Sequence, residues 1–175
     1  MSLNVEALEA AKKALRIVDV YFRDERVSLD KASTPPFWPE CHRTQFRMAT
    51  RILQDFEVAG EVEEDDGSTS EQNARFLEVE FSGSVRCLAD QPDAEDRELI
   101  AMDVCLGLLY EVAAECAEDG IDEFVRMNVP YHAIPYWREH IHGVCAKRRF
   151  RPITVPMYIQ AMQQGEPRVV EKAED

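Results

Sequence analysis

Glycine is scarce in this sequence, and the glycines that are present never cluster. The 175 residues include seven of them, and none belongs to a Gly-Lys-Ser or Gly-Lys-Thr motif. Loops that hold phosphate groups need closely spaced glycines, because side chains would keep the backbone N–H groups away from the phosphate oxygens. The sequence therefore predicts no nucleotide-binding loop, no ATP-driven activity and no cofactor.

Basic residues are too few to balance the acidic ones. Lys and Arg total 20 against 34 for Asp and Glu, which gives a formal net charge of −14. A surface of this sign repels phosphate groups and anionic membranes, and it attracts basic or unfolded polypeptides. Polypeptide is therefore the expected partner, and nucleic acid is not.

Long apolar runs and cysteine motifs are missing as well. No segment has the roughly 18 apolar residues needed to span a bilayer, and the N-terminal stretch carries acids instead of an apolar signal core. The five cysteines are odd in number and form no Cys-x-x-Cys motif. This scatter predicts reduced thiols in a cytoplasmic protein, with neither zinc nor a disulfide framework. The cysteines are Cys41, Cys87, Cys105, Cys116 and Cys145.

The order of the periodic segments predicts an α+β protein. Strands come first and a long helix follows, which indicates a four-stranded antiparallel sheet packed by that helix. An N-terminal helical extension over 1–15 is expected before the main domain, 16–163, and an acidic flexible tail after it, over 164–175. The predicted elements are a helix over 3–15, strands over 16–29, 45–58, 75–88 and 99–115, a long helix beginning near Asp122, and a short second helix over 157–163.

Two of the strand predictions rest on alternation. From 75 to 88 apolar and polar residues alternate, and from 100 to 112 every even position is apolar. For the second segment a helix remains open, because Ala, Leu, Met and Glu are good helix formers. The acidic stretch 61–73 is predicted to be a solvated loop or hairpin tip. The residues expected on the apolar face of the earlier strand are Leu77, Val79, Phe81, Val85 and Cys87.

The segment IPYWREHIHGV, at residues 134–144, has helical periodicity and two of the four histidines. On a helix, His140 and His142 lie about 200° apart, so they are not expected to share a metal ion. Pro135 is expected in the first helical turn, where no backbone donor is needed. The residues of the apolar stripe are Ile134, Trp137, Ile141, Val144 and Cys145.

Cysteine–histidine pairs provide an enzymatic alternative. His142 is one helical turn from Cys145, and Cys41 adjoins His42. However, a thiol on an apolar stripe is usually inert, and sequence neighbours seldom form an oriented nucleophile–base pair. An interaction surface is therefore favoured, and the protein is not expected to be an enzyme.

The proline-rich stretch KASTPPFWPECHRT is predicted to be a long crossover loop with two bulky aromatics. Phe37 and Trp38 stand between prolines that exclude regular structure. Rigid aromatics of this kind are suited to binding apolar side chains, and the alternative is that they cap the core of the sheet.

The sequence from residue 134 onward resembles the C-terminal part of SecB, the bacterial protein-export chaperone. It reads a β-branched residue, Pro-Tyr-x-Arg-Glu, an apolar residue, a basic pair before Phe, and two prolines. Upstream, VYFRDERVSL, TPPFWPE and AMDVCLGLLYEV resemble the family's first strand, crossover loop and last strand. The matching positions are Ile134, Pro135, Tyr136, Arg138, Glu139, Ile141, Arg149, Phe150, Pro152 and Pro156.

SecB-like proteins bind unfolded polypeptides without ATP, in apolar grooves near the crossover loop. The resemblance therefore implies a holdase chaperone in protein export, with Phe37 and Trp38 as client contacts. It also implies a homo-oligomer, a dimer of dimers with helices between sheets. In that assembly the residues that pack the long helix onto the sheet and the partner subunit would be Pro135, Tyr136, Trp137 and Ile141.

Some relatives pass preproteins to the SecA motor through an acidic face, and the matching positions here are Asp24, Asp30 and Asp103. Asp103 lies opposite the apolar even positions of its strand, so it is expected to be exposed. Other relatives serve as dedicated chaperones for antitoxins. A chaperone or adaptor for a single partner such as an antitoxin is therefore the alternative to a general one.

Overall fold

Seven elements follow one another in the computed structural model, which describes residues 4–63, 69–90, 96–156 and 168–171. The first four strands form an antiparallel sheet. A short fifth strand extends it, in the order β1-β4-β3-β2-β5. The α+β class and the N-terminal helix are thus confirmed, whereas the predicted helix at 157–163 lies outside the described residues. The elements are α1 (Val5–Ala14), β1 (Leu15–Leu29), β2 (Arg43–Glu63), β3 (Thr69–Ala89), β4 (Arg97–Val112), α2 (Glu118–Lys147) and β5 (Arg168–Glu171).

The two central strands, β3 and β4, bury the faces that alternation predicted. A helix would have spread the even positions from 100 to 110 around its circumference, but in β4 they share one face. The strand prediction is therefore confirmed. The side chains exposed by no more than 2% on these faces are Leu77, Val79, Phe81, Val85 and Cys87 in β3, and Ile100, Met102, Val104, Leu106, Leu108 and Tyr110 in β4.

The stretch 61–73, predicted to be a solvated loop or hairpin tip, is strand at both of its ends. β2 continues to Glu63 and β3 begins at Thr69, so the two strands run into both ends of that stretch. The prediction relied on acidic composition and did not take backbone pairing between neighbouring strands into account. Neighbouring strands satisfy each other's backbone groups, and this context outweighs the weak intrinsic preferences of polar residues.

Helix α2 begins earlier than predicted, and Pro135 is not in its first turn. The helix starts at Glu118, so that Pro130 and Pro135 both lie inside it. A proline in a helix interior costs about 3 kcal/mol, because one backbone hydrogen bond is lost. Packing of the turns before the two prolines offsets this cost: Phe124 is 2% exposed and meets Tyr110 edge-on, with 5.2 Å between ring centroids.

The chain groups into two compact units, of which the first comprises Met1–Tyr21, Thr50–Glu80 and Gly107–Val129. Here Asn4 caps α1, since its side-chain oxygen accepts a hydrogen bond from the backbone N–H of Ala7 at 3.2 Å. Its amide nitrogen also donates to Asp119 at the start of α2. The N-terminal helix is therefore fastened to α2 by specific contacts.

The second unit comprises Phe22–Ala49, Phe81–Leu106 and Pro130–Asp175, and Trp137 occupies its core. The indole meets Phe46 and Phe81 edge-on, at centroid distances of 6.3 and 5.6 Å. It lies over Gly83, where a side chain would collide with the ring. This unit contains the crossover loop, which connects the end of β1 to the start of β2.

Candidate functional site

The crossover loop, residues 30–42, is anchored firmly where it leaves β1. Asp30 accepts hydrogen bonds from the Ser33 hydroxyl at 2.5 Å and from the Ala32 N–H, and it pairs with Arg97. These donors, the Ser33 hydroxyl first, hold the pKa of Asp30 below its usual range. The backbone N–H of Asp30 also donates to the carbonyl of Leu99 on β4, at 2.9 Å.

At the tip of the loop, one aromatic side chain is exposed to solvent and the other packs against the protein. Phe37 is 82% exposed, although its backbone is held by a hydrogen bond to Thr34 at 2.8 Å. Trp38 packs edge-on against the buried Phe150, with ring centroids 5.1 Å apart, and its indole N–H donates to the carbonyl of Arg148. The two predicted client residues therefore differ, since Phe37 is freely accessible and Trp38 also supports the loop.

The loop is anchored again where it enters β2. Arg151 donates to the carbonyl of Pro39, and the N–H of His42 donates to the carbonyl of Leu88 at 2.9 Å. Cys41 and Cys87 form a disulfide, with 5.8 Å between their Cα atoms. The expectation that all thiols are reduced is therefore wrong for this pair. The sequence did not reveal this disulfide, because 46 residues separate two positions that the sheet brings together.

The strand edge beside the loop holds an extended segment of the chain itself. β5 pairs antiparallel with the first four residues of β2, so that Arg43 lies opposite Glu171 and Phe46 opposite Arg168. β5 lies within 164–175, which the sequence predicted to be a flexible tail. A strand edge that accepts an added strand is a common way to bind a peptide through its backbone.

A second concave surface lies between β1 and the outer face of α2. This groove has a volume of about 490 Å³, and its lining includes Phe22, Tyr136 and Val144 together with charged side chains of both signs. Phe22 is 50% exposed and Tyr136 is 42% exposed. Sequence reasoning missed Phe22; the signal available was an aromatic residue within a polar run of β1.

His140 lies at the side of this groove. Its ring is 5.3 Å from that of Phe22, and its Nδ1 is 3.5 Å from a carboxylate oxygen of Glu25. Burial lowers the pKa of His140, with Lys147 acting in the same direction and Glu25 against it. The groove therefore holds a mainly neutral imidazole at neutral pH.

This lowered pKa predicts a loss of stability in acid. Because the unfolded chain binds the proton more tightly than the folded chain, the free energy of unfolding falls as the pH drops through the ordinary value of 6.5 towards the lower folded pKa. Chemical denaturation across this range should show a shallower pH dependence for His140→Gln. His142→Gln, at an exposed position two residues on, is the matched control and should retain the wild-type slope; equal slopes in all three proteins would contradict the assignment.

The three predicted acidic contacts occupy different environments. Asp24 is exposed on β1, whereas Asp30 is bound by Arg97 and Ser33 as described above. Asp103 is on the face opposite the core and accepts hydrogen bonds from Arg86 at 2.9 Å and from Ser84 at 2.9 Å. A partner that used Asp30 or Asp103 would have to compete with the protein's own arginines.

The four predicted interface residues divide into two pairs. Trp137 and Ile141 are 1% and 0% exposed, buried in the core of their own chain. Pro135 and Tyr136 face solvent on the other side of α2. Only the latter pair is at the surface, and the oligomer interface itself stays a prediction.

The cysteine–histidine pairs do not form a recognisable nucleophile. Cys145 is 2% exposed and burial raises its pKa, whereas His142 is exposed. Cys41 is engaged in the disulfide, and its neighbour His42 instead points Nε2 at Asp90, 3.1 Å away. The geometry gives none of these thiols the adjacent base that activates a catalytic cysteine.

Comparison with solved structures gives an informative likeness. No protein-family model matches the sequence, and no curated protein matches it. Among solved structures, the SecB-like chaperone Rv1957 of Mycobacterium tuberculosis, in complex with a ChAD peptide from the Rv1956 HigA1 antitoxin, superposes with a TM-score of 0.59 at 10% identity. The match covers 88% of this chain and 97% of that one.

The chain has a SecB-like fold. No helix in the described part of the chain is long and apolar enough to cross a membrane.

Proposed function

We propose that this SecB-like protein is an ATP-independent holdase that binds unfolded or non-native polypeptides in the cytoplasm, including proteins destined for export. The observation that carries the proposal is Phe37, a large apolar side chain 82% exposed on a loop anchored at both ends. Leaving such a side chain in water costs free energy, and burying it against an apolar client is favourable. The net charge of −14 opposes self-aggregation of a protein that displays it.

The edge of β2 supports an extended client. Its residues Arg43–Phe46 already pair with β5, so the position is competent to accept a strand. It continues directly from the crossover loop, whose last residue is His42. A client could therefore place an apolar side chain on Phe37 and hydrogen-bond its backbone to the adjacent edge.

Competition with β5 is a testable consequence. The double variant Val169→Pro, Val170→Pro removes two backbone N–H groups from β5 while keeping length and charge. We expect it to bind a labelled unfolded peptide about two- to fivefold more tightly in a fluorescence anisotropy titration, since the client no longer displaces β5. Val169→Thr, Val170→Thr is the control and should bind as the wild type does; equal affinity in the proline variant would contradict the competition.

Oligomerisation is the second part of the proposal. β1 is an edge strand of 15 residues, and its exposed side chains include Ile17, Val18 and Phe22, at 45%, 54% and 50%. Long edge strands with apolar side chains are normally covered in soluble proteins. Phe22, together with Tyr136, fits an interface with a second copy, and we propose a dimer of dimers. SecA docking through Asp24 is a further proposal that rests on sequence likeness alone.

Size-exclusion chromatography with light scattering tests the proposed function directly. The protein should elute as an oligomer, and addition of a reduced, unfolded protein should give a stable complex without ATP. It should also slow aggregation of that client at near-stoichiometric ratios. A monomer that leaves aggregation unchanged would contradict the holdase proposal.

A dedicated chaperone is the second candidate. It is favoured by the solved neighbour, which is bound to a peptide from an antitoxin. A general holdase binds unrelated unfolded proteins with similar affinity, whereas a dedicated one discriminates strongly among them. Titration with several unfolded proteins and antitoxin-derived peptides distinguishes the two.

A further inference from the structure

We infer that Cys41 and Cys87 form a reversible thiol–disulfide exchange site that reacts with small-molecule disulfides and dithiols and fixes the base of the crossover loop. The existence of this site does not depend on the proposed function, but its effect on client binding does. The Cα separation of 5.8 Å is within the usual range for a disulfide, so the bond forms without backbone movement.

The two cysteines occupy the point where the loop joins the sheet. Cys41 is the second-last loop residue, and Cys87 is near the end of β3. The adjacent backbone hydrogen bond from His42 to Leu88 reinforces the same junction. A covalent bond there restrains the segment that carries Phe37 and Trp38, because the loop is already anchored at Asp30.

The reduced state is accommodated as well as the oxidised one. The sulfur of Cys41 lies 3.4 Å from the carbonyl oxygen of Arg43 and 3.5 Å from the hydroxyl of Thr44, so a thiol hydrogen has acceptors in place. Cys87 is 0% exposed and behaves as an apolar residue when reduced. Both cysteine positions therefore accommodate a reduced thiol, which is what a reversible site requires.

The exposures of the two cysteine residues order the reaction. Cys41 is 8% exposed and Cys87 is 0%, so Cys41 meets the small disulfide first. Its thiolate attacks one sulfur of that disulfide, releasing one small thiolate and forming a mixed disulfide. The Cys87 thiolate then attacks Cys41 Sγ, forming the protein bond and releasing the second thiolate. Two protein thiols are oxidised and one small disulfide is reduced to two thiols; a dithiol reverses the steps.

The other cysteines lack a comparable partner. Burial raises the pKa of Cys145, and burial together with Asp119 raises that of Cys116. Both are therefore mostly protonated and slow to react at neutral pH. Cys105 lies 3.7 Å from the hydroxyl of Ser82 rather than near another sulfur. Oxidation is therefore expected to select the Cys41–Cys87 pair.

The first part of the test maps the bond. The full-length protein is equilibrated with oxidised glutathione or with dithiothreitol, unfolded in iodoacetamide and analysed by peptide mass spectrometry. We expect a Cys41–Cys87 cross-link with three alkylated cysteines in the first sample and five alkylated cysteines in the second, from the five that the chain contains. A sample that gives no Cys41–Cys87 link, or scrambles it with the other cysteines, overturns the inference.

The second part measures how readily the loop opens, from its rate of cleavage by trypsin. Lys31 is exposed and is the only trypsin site within the loop. Cleavage after Lys31 should be at least about threefold faster in reduced protein, since the open state is more populated. Cys87→Ala and, should that variant not fold, Cys41→Ala should be cleaved fast in either buffer, whereas Cys116→Ser should behave as the wild type. Equal cleavage of the oxidised and reduced wild type overturns the restraint.

The third part links the site to clients. Oxidised protein should bind an unfolded peptide several-fold more tightly, because its loop is preorganised. Equal affinity in the two redox states overturns this link. Absence of binding in both states, with the cross-link and the protection intact, rejects the holdase function while supporting the exchange site.

Discussion

Replacing Trp137 by alanine is expected to lower the free energy of unfolding by about 3–5 kcal/mol. The side chain is 1% exposed and contacts both Phe46 and Phe81, so its removal leaves a large cavity that the surrounding rings cannot fill. The corresponding fall in Tm is about 6–20 °C for a chain of this size. Urea denaturation at fixed protein concentration, together with calorimetry, measures both quantities.

Tyr136→Ala is the matched control for this loss. It truncates the neighbouring aromatic residue on the same helix, but Tyr136 is 42% exposed and outside the core. Its cost to the protomer should stay below about 1 kcal/mol. Similar losses in the two variants would show that Trp137 is not buried as described.

Gly83 provides an independent check on the same packing. A methyl group there would lie 2.6 Å from Cε2 and 2.8 Å from Nε1 of Trp137, so Gly83→Ala should be strongly destabilising. Trp137→Ala removes the overlapping indole atoms and loses no hydrogen bond, because the indole N–H has no partner among the described residues. Gly83→Ala should therefore cost less in the Trp137→Ala background. Additive losses would mean that the two residues do not touch.

Periodicity predicted the parts of the fold in which one face is buried along its whole length. Even positions in β4 and odd positions in β3 proved to be core, and so did Ile134, Trp137 and Ile141 on α2. At Gly83 the buried side of β3 has no side chain to pack. The ring of Trp137 fills this gap, and a single sequence does not reveal that pairing because the two residues lie far apart along the chain.

Composition misled the prediction wherever tertiary contacts decide the outcome. Pro135 was placed in a first helical turn, whereas α2 begins at Glu118 and continues through Pro130 and Pro135, with Phe124 buried before both prolines. The disulfide was missed because nothing in the spacing of Cys41 and Cys87 indicates that their strands are neighbours. By contrast, the crossover loop was predictable, since clustered prolines that exclude regular structure are a purely local signal.

Substituting Phe37 by aspartate is expected to weaken binding of an unfolded client about tenfold or more. Full burial of a phenylalanine side chain is worth about 1.5–3 kcal/mol, and tenfold in affinity corresponds to about 1.4 kcal/mol. Partial burial against a client therefore suffices. Since Phe37 is 82% exposed, the substitution should leave Tm nearly unchanged. Anisotropy titrations with a labelled, permanently unfolded peptide measure the affinity at several salt concentrations, so that repulsion by the new charge is separated from the lost contact.

Val58→Asp is the control for charge and hydrophobicity. Val58 is 46% exposed on β2, and the variant makes the same exchange of an apolar side chain for a carboxylate at a position that is not part of the crossover loop. It should bind the client as the wild type does. Trp38→Ala should weaken binding and also lower Tm, because Trp38 supports the loop through Phe150. Equal weakening by the Phe37 and Val58 variants would indicate non-specific attraction, and an unchanged Kd in Phe37→Asp would remove the loop from the client-binding surface.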